Sequence, residues 1–290
     1  MVSSLRSLLQ AMRLHHWIKN LIVWSAPFFA LKLNQQTAIY GLLAFGLFSF
    51  TASAFYLIND IRDVERDRQH PRKKMRPIAS GMLSVRLAGM VAFILLSITA
   101  GLSWWISPNM LWIWLAYVVM QAGYNLGLKR EPILDLMILA LGYVLRALGG
   151  AAATNVPVSG WFVLCLGLLA LFLGIEKRKA ELLAVGHGGE TRSVLQHYTA
   201  DGLQRMESVV TASALMSYAL WTIEAGKSIW MMATLPFVIY AIFRFQMLSE
   251  NEETKGIGET PEQVFLHDKG MIIAVIGWLV SVFLVLKWNA

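Results

Sequence analysis

The chain has 290 residues, 57% of them hydrophobic and only 15% charged, with a formal net charge of +7. A soluble domain averages about 25% charged residues, and the mean hydropathy of +0.55 with repeated bilayer-length apolar runs excludes one. Those runs are continuously apolar rather than alternating, which excludes a β-barrel and leaves an all-α polytopic membrane protein.

Nine transmembrane spans are read in chain order: 17–33, 37–58, 84–106, 109–126, 132–154, 159–175, 208–224, 229–247 and 270–287. The first has Arg6, Arg13 and Lys19 at its start, as a signal peptide would. No small-residue cleavage site follows and eight more spans do, so it is read as a retained helix. Cys165 is the only cysteine and lies within a span, which excludes an internal disulfide and a cysteine-based zinc site. Nearly all Lys and Arg fall in alternate loops, whereas the others hold only Lys32, Lys227 and Lys287. By the positive-inside rule the N-terminus is cytoplasmic and the C-terminus outside. This asymmetry, with anionic lipid or substrate as partner, accounts for the basic charge without nucleic acid. The long polar loops 59–83, 176–207 and 248–269 are all inside, so the working face is cytoplasmic. No linker or low-complexity tract divides residues 1–290, which are read as one domain.

The densest chemistry runs from Asn59 to Gly81, NDIRDVERDRQHPRKKMRPIASG. A helical wheel at about 100° per residue places Asn59, Asp60, Asp63 and Asp67 within an arc of roughly 100°, with Glu65 on the opposite side. Acids spaced four apart repel one another, so the face calls for a cation. An all-oxygen donor set suits a hard ion such as Mg²⁺, which commonly accompanies a phosphorylated substrate. Asn59, Asp63 and Asp67 are the expected ligands, with Asp60 behind them. The bland alternative is a solvated helix with Asp63–Arg66 and Glu65–Arg68 surface pairs. Pro71 disfavours helix at His70 and stops the segment there. Arg72, Lys73, Lys74 and Arg76 follow; of these, Lys73 and Arg76 are read as holding phosphate oxygens and the other two as inside charge. Pro77 to Gly81 should form the re-entry turn.

Tyr124 and Lys129 converge at the end of the fourth span, where a hydroxyl and a point charge suit a phosphate, although read alone they are ordinary aromatic belt and inside charge; Asp135 begins the fifth. Arg146 lies about three turns beyond Asp135, deep in an apolar run. Charge at that depth costs roughly 2.5–3.5 kcal/mol and is functional by default. Its candidate partners are Asp135, an acid on another helix, or a substrate phosphate. The small residues Gly149 to Ala153 beside it permit either close helix packing or a lipid-sized opening. Glu176-Lys177-Arg178-Lys179-Ala180-Glu181 closes the sixth span as a substrate contact or an inside anchor. Arg244, Glu259, Pro261, Glu262 and Asp268 make a polar cap, and His187 and His197 are not expected to bind metal.

NDxxDxxxD followed by RPIASG resembles the signature of the UbiA superfamily of intramembrane prenyltransferases, and the likeness covers essentially the whole chain. It implies nine helices, a cytoplasmic cap and Mg²⁺-dependent diphosphate chemistry. Within the superfamily the motifs are most similar to a phosphoribosyltransferase branch. These are RLHHWIKN with Lys19 and Asn20, HPxKxxRPIASG with Lys73 and Arg76, YNxGLKREPILD with Tyr124, Lys129 and Asp135, GYVLRALGG around Arg146, EKRKAEL with Lys177, Arg178 and Glu181, and GxGETPE at 256–262. The Arg-Thr before the turn and the second acidic or YPxxKR motif that aromatic prenyltransferases tend to carry are not found. The resemblance therefore implies phosphoribosyl diphosphate as donor and a polyprenyl phosphate as acceptor, with Asp63, Asp67, Lys73 and Arg76 at the reaction. An aromatic or quinone-type prenyltransferase and a transporter or scaffold are the rival expectations.

Overall fold

A computed structural model of the protein describes residues 2–71, 73–185, 193–225, 229–250 and 268–288. Arg72, His187, Glu259, Pro261, Glu262 and the 256–262 motif lie outside the described residues. Within them all regular structure is helical. The α-helices are α1 Val2–Ala11, α2 Ser25–Phe29, α3 Gln35–Arg62, α4 Val64–Gln69, α5 Val85–Ile106, α6 Pro108–Leu126, α7 Leu134–Thr154, α8 Gly160–Val185, α9 Ala200–Ala225, α10 Leu235–Glu250 and α11 Lys269–Trp288.

Among the described residues six helical stretches are long and apolar enough to cross a membrane: Gln35–Arg62, Val85–Ile106, Leu134–Thr154, Gly160–Leu183, Ile229–Ser249 and Lys269–Trp288. The expected spans 109–126 and 208–224 fall within α6 and α9. Both helices also carry polar residues, Gln121 and Asn125 in one and Asp201, Gln204, Arg205 and Glu207 in the other. The expected first span is instead a 3₁₀ run, Leu14–Trp24, leading into short α2. Pro27 supplies the reason: it has no amide to donate to Val23, and its ring would clash with that carbonyl if the α-helix continued. Helix starts are set by local caps. Asn34 accepts the Thr37 amide at 2.9 Å while the Thr37 hydroxyl accepts the Asn34 amide at 3.0 Å, a reciprocal capping box. Ser84 accepts the Leu87 amide at 3.2 Å to open α5.

The chain sorts into two compact units. The first comprises 1–27, 33–125 and 145–156; the second comprises 28–32, 126–144 and 157–290. In the first, α3 is the central element. Its Ala44, Leu47 and Phe48 pack with Val23, Met110, Trp114 and Tyr117, and its Ala54 and Leu57 pack with Ile78, Leu83, Ala88 and Ala92. The small residues Gly149 and Gly150 serve close packing. A Cβ on Gly149 would stand 2.4 Å from the Phe48 ring, and one on Gly150 would stand 1.9 Å from the Val23 carbonyl oxygen. The second unit is held by Leu136, Phe172, Ile175, Leu203 and Phe245, and by an aromatic group in which Phe29 meets Trp221 and Trp278. Phe93, Trp104, Trp112, Val119 and Ile273 are about two-thirds exposed or more. Apolar surface of that extent is a bilayer-facing feature.

Candidate active site

In the first unit the acidic helix and the turn after it form one ionic cluster. Asp63 interrupts the helix between α3 and α4 with φ −91° and ψ 7°. The hydrogen bonds from Asp63 N to Asn59 O at 2.9 Å and from Asp67 N to Asp63 O at 2.8 Å nevertheless carry the helical pattern across it. The expected face therefore persists: Asp60 and Asp67 are buried, while the Glu65 side chain is 76% exposed and pairs with Arg68 at 2.8 Å. His70 is extended and ends α4 ahead of Pro71. The chain then turns back through Pro77–Gly81, where Leu83 N donates to Pro77 O at 2.9 Å and Gly81 takes φ +80°. That turn brings Arg76 onto the helix. Its Nη1 donates to Asp67 Oδ2 at 2.7 Å and to Asp60 Oδ1 at 3.3 Å.

Arg13 completes this cluster, donating to Asp60 Oδ1 at 2.7 Å and lying 4.8 Å over the Tyr56 ring. Its backbone is left-handed, with φ 54° and ψ 53°, a conformation costing roughly 1–2 kcal/mol for a residue with a Cβ. The sequence motif points to Lys19 and Asn20 in the same segment and leaves Arg13 as inside charge. The only signal for it is its place in RLHHWIKN.

Elsewhere in the first unit, Arg146 is hydrogen-bonded to two neutral side chains. Its Nε donates to Asn20 Oδ1 at 2.6 Å and its Nη2 to the Tyr117 hydroxyl at 2.7 Å. The guanidinium also sits 4.9 Å from the Tyr117 ring centre. Asn20 is buried and spends its amide on Ser49 at 2.9 Å. Asn20 and Arg146 are thereby brought together, as are Asp60, Asp67 and Arg76. Lys19 and Lys73 are half-buried, and Tyr124 lies near the end of α6, also in this unit.

Lys129, Asp135, Lys177, Arg178 and Glu181 belong to the second unit. Asp135 and Arg178 are fully buried and joined at 2.7 Å through Arg178 Nε. Arg178 also pairs with Glu181. Tyr198, which sequence reading passed over, donates to Asp135 Oδ1 at 2.7 Å and accepts the Ile133 amide at 2.7 Å. Burial pushes its phenol up to about 12; the Ile133 amide opposes this, and the adjacent Asp135 adds to it. A second polar knot lies between α8, α9 and α10. Lys179 bridges Glu176 and Glu207, and Gln246 donates to Glu207.

Among the described residues no group of three His, Cys, Asp or Glu is arranged to hold a metal. The Asp60 and Asp67 carboxylates are gathered around Arg13 and Arg76. The donor chemistry of Asn59, Asp60, Asp63 and Asp67, all oxygen and largely anionic, fits a hard divalent cation. The arginines show that two of these carboxylates already need a positive partner.

Apolar helices of bilayer length, with buried acids and bases in each unit, define a multi-pass membrane protein. The chain belongs to the UbiA prenyltransferase family, whose model matches residues 21–267. It is 34% identical to the decaprenyl-phosphate phosphoribosyltransferase of Mycolicibacterium smegmatis, over 94% of this chain and 90% of that protein. It is likewise 34% identical to the enzyme of the same name from Corynebacterium glutamicum, over 94% and 84%. Its fold matches a UbiA homolog from Archaeoglobus fulgidus bound to DMAPP and Mg²⁺, with a TM-score of 0.73, 18% identity and coverage of 97% and 99%. At that identity the likeness shows the fold alone.

Proposed function

We propose that the protein transfers the 5-phosphoribosyl group of phosphoribosyl diphosphate to a polyprenyl phosphate of the decaprenyl-phosphate type, releasing diphosphate. The carrying observation is the near-full-length similarity, at 34% identity, to decaprenyl-phosphate phosphoribosyltransferases. The product, a polyprenylphosphoryl-phosphoribose, would feed lipid-linked pentose into cell-envelope glycans. In this reading the chain is a single domain of nine spans in the cell membrane, with N-terminus and site cytoplasmic and C-terminus outside.

The reaction breaks the bond between C1 of the ribose and the diphosphate oxygen, and the diphosphate leaves with the electron pair. An oxygen of the acceptor phosphate forms the new bond to C1. That oxygen is already anionic near neutral pH, so a strong general base is not needed. Stabilising the departing diphosphate is the main task, and preorganised positive groups perform it. Arg76 and Lys73 take that role, with Arg76 held in place by Asp60 and Asp67. Asn59, Asp63 and Asp67 would hold Mg²⁺, with Asp60 behind them; Arg13 and Arg76 engage Asp60, and Arg76 also engages Asp67. A bound Mg²⁺ supplies charge neutralisation at the diphosphate oxygens. Lys19, Asn20, Tyr124, Lys129, Asp135, Arg146, Lys177, Arg178 and Glu181 contact or shape the substrate sites. The Arg146 guanidinium, hydrogen-bonded to Asn20 and Tyr117, suits a phosphate at membrane depth.

Two mixtures separate this from prenyl transfer to an aromatic acceptor. Purified protein is given labelled phosphoribosyl diphosphate with polyprenyl phosphate, or an allylic diphosphate with an aromatic acid. Labelled lipid in the first mixture is the expected result; product only in the second sinks the proposal.

A further inference from the structure

The γ-turn that follows the Lys129 turn is strained, and one distant hydroxyl pins it. Residues Leu128–Arg130 form a single 3₁₀ turn. Just after it, Leu134 N donates to Pro132 O at 2.8 Å, and Ile133 between them has φ +69°. A hydrogen bond closed over two residues about such a φ is the rare, strained form of the γ-turn. A β-branched residue is a poor occupant of that region. Glycine would take it freely, yet the residue is isoleucine.

The compensation comes from Tyr198. Its hydroxyl accepts the Ile133 amide and donates to Asp135 Oδ1, both at 2.7 Å. Asp135 is fixed in turn by buried Arg178. The Tyr198 ring is 7% exposed and packs in the core with Leu136, Phe172 and Phe245. Strain that persists because its surroundings over-determine it is typical of positions whose geometry is used.

We propose that Tyr198 is a positioning residue, whose hydroxyl holds the 128–135 turn so that Lys129 meets a substrate phosphate in a fixed place. The proposal rests on the phosphoribosyl transfer described above, in which Lys129 binds a phosphate. Donor diphosphate and lipid phosphate share the chemistry Lys129 would recognise. The raised phenol keeps its proton across the working pH range, so the hydroxyl both donates and accepts.

The test measures KM and kcat for each substrate with the unaltered protein, Tyr198→Phe, Lys129→Met and the double variant. Tyr198→Phe is expected to raise KM for one substrate about tenfold, the scale of one hydrogen bond, with little change in kcat. The substrate affected names the phosphate that Lys129 serves. If Tyr198 acts through Lys129, the double variant is no worse than Lys129→Met alone. Unchanged KM for both substrates, or effects that multiply, overturns the positioning role. An unaltered protein that does not consume phosphoribosyl diphosphate overturns the reaction instead. Hydrogen exchange of the unaltered protein then decides the positioning role without turnover or variants. The Ile133 amide is expected to be protected in the absence of substrate, and exchange within seconds contradicts the proposal.

Discussion

Arg76 Nη1 donates to Asp67 Oδ2 at 2.7 Å, so the cation of the RPIASG turn and the last acid of the NDxxDxxxD helix are one object. The same nitrogen reaches Asp60 at 3.3 Å. Removing Arg76 therefore takes away a donor and leaves two buried carboxylates short of positive charge. Arg76→Ala should lower kcat by about 10²–10³-fold, the usual loss for one preorganised donor. Arg76→Lys should recover only part of it, because an ammonium lacks the planar fork. Steady-state rates with phosphoribosyl diphosphate check this; a loss under threefold for Arg76→Ala contradicts the role.

Asp135 and Arg178 are expected to matter first for stability. Both are fully buried and bonded to each other. Asp135→Ala leaves a buried guanidinium with one fewer acid, and breaking such a pair costs roughly 3–5 kcal/mol. Thermal unfolding in detergent should show a clear drop. An Asp135→Ala protein that unfolds normally and loses only substrate affinity would point to a direct substrate contact instead.

Gly150 is fixed by backbone that cannot move aside. The Cβ of Gly150→Ala would stand 1.9 Å from the Val23 carbonyl oxygen, and overpacking of this kind typically costs about 1–3 kcal/mol. Gly101 is the control, in α5 with nothing within 4 Å of an added Cβ. Gly101→Ala should be neutral or stabilising by roughly 0.5–1 kcal/mol, since alanine is the better helix former. Equal melting temperatures for the two variants would refute the close approach.

Asp268 gives a pH dependence with a definite sign. Arg244 donates to it twice, at 3.1 and 2.8 Å, and the Met271 amide at 2.7 Å. The hydrogen bond from Arg244 is the main reason its carboxyl is held below the usual range. A lowered folded value means the contribution is fully present above the unfolded value of about 4 and fades as pH falls through the folded one. Asp268→Asn keeps an acceptor for Met271 but loses the charge. It should therefore melt below the unaltered protein at neutral pH, with the gap closing in acid. A gap that stays constant from pH 7 to pH 3 contradicts the assignment.

What the sequence makes legible is what local periodicity and charge can report. The apolar runs locate α3, α5, α7, α8 and α11, and Pro71 marks the end of α4. The wheel of Asn59, Asp60, Asp63 and Asp67 survives the break at Asp63 because helical hydrogen bonds bridge it. Partners far apart in the chain leave no such pattern. Arg13 and Asp60 are 47 residues apart, Tyr198 and Asp135 63, and Arg146 and Asn20 126. The charge of Arg146 announces a function, but nothing local tells that it hydrogen-bonds the Asn20 amide and the Tyr117 phenol. The 3₁₀ run before Pro27 is hidden for a related reason, since its last residues, Leu21 to Trp24, read on into the apolar stretch up to Leu31.

In the proposed reaction the sugar is on the donor and the prenyl chain on the acceptor. The most direct measurement supplies polyprenyl phosphate carrying ¹⁸O in its phosphate, together with unlabelled phosphoribosyl diphosphate, and weighs both products by mass spectrometry. The lipid is expected to gain one phosphoribosyl group and keep all its ¹⁸O, while the released diphosphate has none. ¹⁸O in the diphosphate, or a lipid that loses its phosphate to an acceptor, would contradict that reaction.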